Sequence, residues 1–206
     1  MVQYNFSEYG LILETPETVY YPKEDSFLLL ENIHVEPQTQ MILEIGSGSG
    51  IISLSLAKKN QNKIFLVTDL SIESCKIINK NLVLNTINSQ FDIICCDKIS
   101  AIRSFNPDVV IWNPPYLPNE EIIGKISFEE KIMLFGGEKG YEENYALISE
   151  LKNLKKNLIY FTIFSSLAWE KDNIRDIVDE KTKVEVLAEQ QLFFEKLFVV
   201  KIVING

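Results

Sequence analysis

Short apolar runs closed by Gly, Asp, Asn or Pro alternate along this chain with longer segments whose apolar residues recur at helical spacing. The runs at 41–45, 63–68, 91–96, 108–112 and 158–164 read as strands, and the segments at 51–59, 72–84, 145–154 and 172–179 read as helices. Within 72–84 the apolar stripe is Ile72, Cys75, Ile78 and Leu82, one face of a helix. Such alternation predicts βαβ units and a parallel sheet. Two last runs, 183–187 and 194–203, are separated by too few residues for a parallel crossover, so they predict a hairpin. The expected fold class is α/β: a Rossmann-like, seven-stranded, mostly parallel sheet with an antiparallel C-terminal strand. Ahead of it, Asp25 or Ser26 caps a helix running through Phe27, Leu28, Leu29 and Leu30.

Composition narrows the possibilities. With 206 residues, 46% of them hydrophobic, the chain can build one substantial core, and no linker, repeat or low-complexity tract interrupts it, so 1–206 is expected to be a single domain. A net charge of −9 argues against a general nucleic-acid binder, which needs a basic field. Met1 to Gly10 shows no basic region followed by an apolar stretch, and no run approaches the ~20 apolar residues of a membrane span, which points to the cytoplasm or nucleus. Cys75, Cys95 and Cys96 form no CxxC pair and His34 is the only histidine, so no metal site is expected and the thiols are read as buried and free.

Candidate chemistry gathers at strand ends. Glu44-Ile45-Gly46-Ser47-Gly48-Ser49-Gly50 leaves one strand and opens a helix, so its glycines admit a ligand close to the backbone and the first amides of the helix face it. The loop departs from G-x-G-x-x-G, and Glu44 would repel a pyrophosphate while attracting a ligand with positive charge. Asp69 closes the next strand about twenty residues on, where a carboxylate can accept from both ribose hydroxyls. Asp97 closes the third, within reach of an adenine amino group.

The fourth strand runs into Asn113-Pro114-Pro115-Tyr116. An amide, two rigid residues and an aromatic face suit a planar NH2 group at the C-terminal end of a strand, where open α/β sheets place ligands. The residues from Asn113 to Gly140 then form a long connection carrying Gly124, Gly136, Gly137 and Gly140, and connections of this length are often functional.

Together these residues resemble the class I S-adenosylmethionine-dependent methyltransferases, and Asn113-Pro114-Pro115-Tyr116 is similar to the motif of the branch that methylates amino groups. The segment from Val19 to Leu30 resembles the N-terminal signature of the short, HemK-type eukaryotic and archaeal release-factor glutamine methyltransferases, and Gly136-Gly137-Glu138-Lys139-Gly140 resembles their glycine-rich segment. The resemblance implies S-adenosylmethionine as cofactor. Residues 1–35 would cover it, with Tyr21, Asp25 and Ser26 toward its methionine end. Glu44, Gly46, Ser47, Gly48 and Gly50 would shape the pocket, Asp69, Leu70 and Asp97 would hold ribose and adenine, and Asn113 would border both cofactor and acceptor. Asn113, Pro114, Pro115 and Tyr116 would carry catalysis by gripping the side-chain amide of the glutamine in the Gly-Gly-Gln loop of a class 1 release factor. The resemblance further implies a small zinc-binding activator subunit, for which the expected outer strand from Phe91 to Cys96 offers an apolar edge. Protein lysine methylation, adenine-N6 methylation of DNA or RNA, and a non-catalytic cofactor-binding subunit are the alternative readings.

Overall fold

A computed structural model describes residues 2–102, 106–119, 128–154, 156–170 and 173–206, without the side chains of 128–130 and 174–175. The chain opens with a hairpin, β1 (Val2–Phe6) and β2 (Leu11–Thr15), followed by α1 (Glu24–Glu31). Then come β3 (Met41–Ile45), α2 (Ile51–Lys59), β4 (Ile64–Asp69), α3 (Ile72–Leu84), β5 (Gln90–Cys95) and β6 (Val109–Trp112). The C-terminal part comprises α4 (Phe128–Leu134), α5 (Glu142–Asn153), β7 (Leu158–Ser165), α6 (Ile174–Ile177), β8 (Thr182–Gln191) and β9 (Lys196–Ile204).

Strands β3 to β9 form one seven-stranded sheet in the order β5-β4-β3-β6-β7-β9-β8. From β3 to β7 every neighbouring pair is parallel; β9 runs antiparallel to both β7 and β8. The order follows from the connections. Helical crossovers α2 and α3 carry the chain outward from β3 to β5, and it then returns to pair β6 against the other side of β3. That reversal opens a crevice between the C-terminal ends of β3 and β6, the place where such sheets bind ligands. Apolar cores lie on both faces: Ile42, Phe65, Val67, Val109 and Phe161 pack with α1, α2 and the hairpin, while Leu43, Leu66, Val110, Tyr160 and Phe164 pack with α5 and Trp169.

The expected helices at 51–59 and 72–84 and the strand at 41–45 have the observed bounds. The N-terminal hairpin was not expected, and its stabilisation is non-local. Asn81 accepts from the Glu14 amide at 2.8 Å and donates to the Glu14 carbonyl at 3.0 Å, and Asn85 does the same for Ile12 at 2.9 and 2.7 Å. Two asparagines one helical turn apart, ~6 Å along the axis, thus match two residues of strand, ~6.8 Å, and serve the open edge of β2 as a surrogate strand. Asn81 is fully buried and also donates to the Ser49 carbonyl at 3.0 Å, so the hairpin is tied to the glycine loop.

Other differences are smaller. The expected helix at 145–154 starts earlier, at Glu142, and the connection after Asn113 carries α4 and a bridge between Leu117 and Phe135. Gly124 and Asp172 lie outside the described residues. Of the thiols only Cys75 is buried, because β5 is an edge strand that leaves Cys95 exposed and Cys96 partly so. Among the described residues no helix is long and apolar enough to cross a membrane, and no cluster of His, Cys, Asp and Glu could hold a metal ion.

Candidate active site

The glycine loop fills one side of the crevice. Gly46, Gly48 and Gly50 have φ of 58°, 55° and 85°, a left-handed path that L side chains rarely adopt, and it brings the start of α2 to the end of β3. A side chain at Gly46 would begin 3.1 Å from the Trp112 indole nitrogen, so loop and β6 approach as closely as their atoms allow.

The expected acids sit at the rim with different surroundings. Glu44 is buried and accepts from the Ser53 amide at 2.9 Å; burial pushes its carboxyl up to about 8. Asp69 accepts from the Gly48 amide and the Ser71 amide, each at 2.8 Å, and burial again raises its pKa. Two carboxylate oxygens can accept about four hydrogen bonds, so with the Gly48 and Ser71 amides and the Ser74 hydroxyl beside it the carboxylate keeps capacity for a further donor. Asp97 stands apart: its carboxylate is largely exposed and pairs with Lys98 at 3.1 Å, which bridges on to Glu143 at 2.7 Å. Leu70 is half exposed next to Asp69, and the Ser47 amide donates to the Thr68 carbonyl at 3.3 Å, closing the loop onto β4.

Across the crevice, Asn113 leaves β6 toward the N-terminus of α1. Its amide nitrogen donates to Asp25 Oδ2 at 3.0 Å and lies 3.4 Å from Ser26 Oγ. Carboxylates only accept at this separation from an amide, so the bond sets which way the Asn113 amide points. Its Oδ1 is buried and without a hydrogen-bond partner among the described residues. An orphaned carbonyl of this kind is costly unless something supplies an N–H. Asp25 is itself saturated: Oδ2 also accepts the Tyr20 hydroxyl at 2.9 Å, and Oδ1 accepts the Ser26 amide and hydroxyl at 2.6 and 3.3 Å. Burial, then the charge of Asp25, raises the Tyr20 hydroxyl well beyond the ordinary phenol range, so it stays a donor. Burial, then Asp25, then Glu195, does the same for Tyr116.

Tyr20 was not among the expected site residues, and Tyr21 was. The structure turns Tyr20 inward to Asp25, while Tyr21 packs edge-on against Tyr4 at 4.6 Å between ring centres and beside Phe6. Nothing in the pattern separates two adjacent tyrosines; only the hairpin, which takes one of them, decides. The glycines after α4 also acquire a role. Side chains at Gly136 and Gly140 would start 2.4 Å from the Pro115 carbonyl oxygen and 2.6 Å from that of Tyr116. The 136–140 segment therefore clamps the backbone of the tetrapeptide, with Gly136 donating to Leu117 and Asn119 to Gly137.

The crevice thus has two compartments. A glycine cradle flanked by the Asp69 carboxylate fits a ligand with vicinal hydroxyls. An amide oxygen beside Tyr116 fits a planar N–H group.

Comparison with known proteins agrees. The family model described as the methyltransferase small domain matches residues 23–129. A Methanocaldococcus jannaschii protein, provisionally named a protein N5-glutamine methyltransferase, is 37% identical over 193 residues, covering 93% of this chain and 94% of that one. The release factor glutamine methyltransferase of Aquifex aeolicus is 26% identical over 156 residues, 72% of this chain but 55% of that one, so the chain spans about half of this bacterial relative. In fold, the chain resembles a structure of the E. cuniculi Mtq2–Trm112 complex, described as responsible for methylating the eRF1 translation termination factor. The TM-score is 0.67 at 17% identity over 92% of this chain and 99% of that one. The chain belongs to the methyltransferase small domain family and is a methyltransferase.

Proposed function

We propose that this enzyme, acting with S-adenosylmethionine, methylates the side-chain nitrogen of the glutamine in the Gly-Gly-Gln loop of a class 1 translation termination factor. The observation that carries this reading is Asn113: its nitrogen is committed to Asp25, and its buried oxygen is left to accept from an amide N–H. The relatives named as protein and release factor glutamine methyltransferases support the same acceptor.

S-Adenosylmethionine, when bound, supplies a methyl group on a positively charged sulfur, so that the carbon–sulfur bond breaks as the nitrogen–carbon bond forms. Gly46, Ser47, Gly48 and Gly50 would cradle it, with Asp69 and Leu70 at the ribose, Asp97 at the adenine, and Glu44, Asp25 and Ser26 toward the methionine end, where Tyr20 rather than Tyr21 faces Asp25. An amide nitrogen is a weak nucleophile because its lone pair is delocalised, so orientation has to supply much of the rate. Asn113 Oδ1 and the Pro114 carbonyl hold the two N–H bonds, Pro115 and the glycine clamp keep the turn rigid, and the Tyr116 ring lies against the amide plane. Positive charge developing on nitrogen strengthens those hydrogen bonds, which therefore favour the transition state. The surplus proton then leaves the nitrogen for water.

Glutamine fits better than lysine. A lysine ammonium must lose a proton before it has a lone pair, and the carboxylate beside Asn113 already accepts from Tyr20, Asn113 and Ser26. We further propose that residues 1–206 act as one catalytic domain in the cytoplasm, activated by a small zinc-binding subunit seated on the edge strand β5, where Phe91, Ile93 and Ile94 are partly buried. The E. cuniculi assembly supports such a partner. The test is radiolabelled methyl transfer by the co-expressed pair. Label should enter the termination factor and not the same factor with its Gly-Gly-Gln glutamine changed to alanine. Label in histone tails or nucleic acid instead would overturn the assignment.

A further inference from the structure

The β8–β9 turn lies on the same rim as the crevice, because Gln190 pairs with Leu197, which in turn pairs with Ser165 at the C-terminal end of β7. The turn is closed: the Leu192 amide donates to the Glu195 carbonyl at 2.8 Å and Gln191 Nε2 donates to the same oxygen at 3.0 Å. At its tip Phe193 and Phe194 are 99% and 92% exposed. Single exposed apolar residues are ordinary, but an exposed aromatic pair on a closed turn at the rim of a reaction site marks a contact surface. At the base of the turn Glu195 accepts the Ser165 hydroxyl and is near enough to Tyr116 to help keep its phenol protonated.

Gln190, one turn-length away, also lines a groove of about 430 Å³ between the first hairpin and α1. The floor is aromatic, with Tyr9 stacked on Phe27 at 5.5 Å and Phe6 beside them. Its polar lining includes Glu8, Glu24 and Glu31, all exposed, with no basic residue in the lining and no ion pair to these three among the described residues. Glu24 and Asp25 are consecutive: one faces the groove while the other holds Asn113. Glu24 thus joins the groove to the residue that holds Asn113, and Gln190 joins it to the strand that carries the aromatic tip.

Resting on the functional reading above, we propose that this rim docks the stretch of the protein substrate flanking its glutamine, with an apolar side chain on Phe193 and Phe194 and basic side chains in the Glu8, Glu24 and Glu31 groove. Charge complementarity selects a basic partner, and the aromatic floor packs against the methylene stems of Lys or Arg. A substrate gripped there keeps its glutamine at Asn113 through contacts made away from the reacting atoms, which lower KM more than they raise kcat.

The experiment compares the full chain, co-expressed with its activator, with two variants, Phe193→Ser/Phe194→Ser and Glu8→Lys/Glu31→Gln. Gln at 31 still accepts the Tyr9 hydroxyl that Glu31 now accepts at 2.9 Å. Each is assayed on the intact termination factor and on a short peptide containing Gly-Gly-Gln. We expect KM for the intact factor to rise roughly tenfold in each variant with kcat nearly unchanged, and peptide kinetics to stay at the wild-type value. Unchanged KM on the intact factor overturns the proposal, as does an equal loss on factor and peptide. So does a wild-type dimer that the Phe193→Ser/Phe194→Ser variant converts to monomer, since the tip would then belong to a second copy. Wild-type enzyme that leaves the factor unlabelled sinks the functional reading itself, an outcome distinct from all of these.

Discussion

The donor side of the crevice is assembled from consecutive pieces of chain, and the acceptor side from distant ones. On the donor side, Glu44 accepts from Ser53 nine residues on, and Asp69 accepts from Gly48 and Ser71 within two adjoining βαβ units. On the acceptor side, Asn113 is oriented by Asp25, 88 residues earlier, and the Pro115 and Tyr116 backbone that follows it is clamped by Gly136 and Gly140. The donor half holds a ligand by the shape of its glycine loop and by the hydrogen-bonding capacity of Asp69. The acceptor half holds a single amide in one orientation, and a network of short polar bonds is the way to do that. Binding should therefore depend on the first half and the rate of transfer on the second.

The division can be broken most directly at Asn113. Asn113→Ala removes the orphaned oxygen and should reduce kcat about 10²–10³-fold, the scale for one lost transition-state hydrogen bond, while calorimetric affinity for S-adenosylmethionine changes little. Parallel loss of affinity would show that the halves are one unit. The mirror experiment is Asp69→Ala. Loss of hydrogen bonds to a carboxylate should weaken cofactor binding by about 1.5–3 kcal/mol, roughly 10- to 100-fold, with kcat at saturating cofactor close to wild type.

How much of this was legible follows the same division. Periodicity and turn residues place β3, α2, β4 and α3, and with them Glu44, the glycines and Asp69, because each lies at the end of its own local element. They also locate Asn113 at the end of β6. They do not show what orients Asn113, nor that Tyr20 rather than Tyr21 turns inward, since both depend on how a hairpin recruited by Asn81 and Asn85 settles over α1. Asp97 fitted the strand-end pattern, yet its carboxylate is paired with Lys98, a neighbour that periodicity ignores. Gly136 and Gly140 were visible as glycines, but their need for close approach to the Pro115 and Tyr116 carbonyls appears only in three dimensions.

A pH experiment sharpens the donor half further. Glu44 titrates in the fold near 8 because it is buried, against 4.5 for an ordinary carboxyl. The folded chain then binds this proton more tightly than the unfolded chain does. Its contribution favours folding below pH 4.5 and is lost progressively as pH rises to about 8. Glu44→Gln keeps an acceptor for the Ser53 amide but has no proton to lose. Wild type should therefore lose stability relative to the variant between pH 5 and about 8, by on the order of a few kcal/mol at most, in urea melts of ligand-free protein. Parallel stability curves would mean that Glu44 is ionised and solvated throughout.

The smallest effect tests where the boundary between the halves lies. Tyr20 donates to the same Asp25 oxygen that receives the Asn113 amide, at 2.9 and 3.0 Å. Tyr20→Phe leaves Asp25 held by Asn113 and Ser26, so the network loosens without collapsing. A loss of about 1 kcal/mol, roughly fivefold in kcat, is expected, with cofactor affinity retained. If Tyr20 acts only by steadying Asn113, the substitution should cost nothing further in an Asn113→Ala background, a coupling that a purely structural role would not produce. A Tyr20→Phe enzyme with normal kcat but weakened cofactor binding would place Tyr20, and the start of α1 with it, on the donor side of the crevice. Asp25 would then be the hinge shared by both halves rather than the foundation of one.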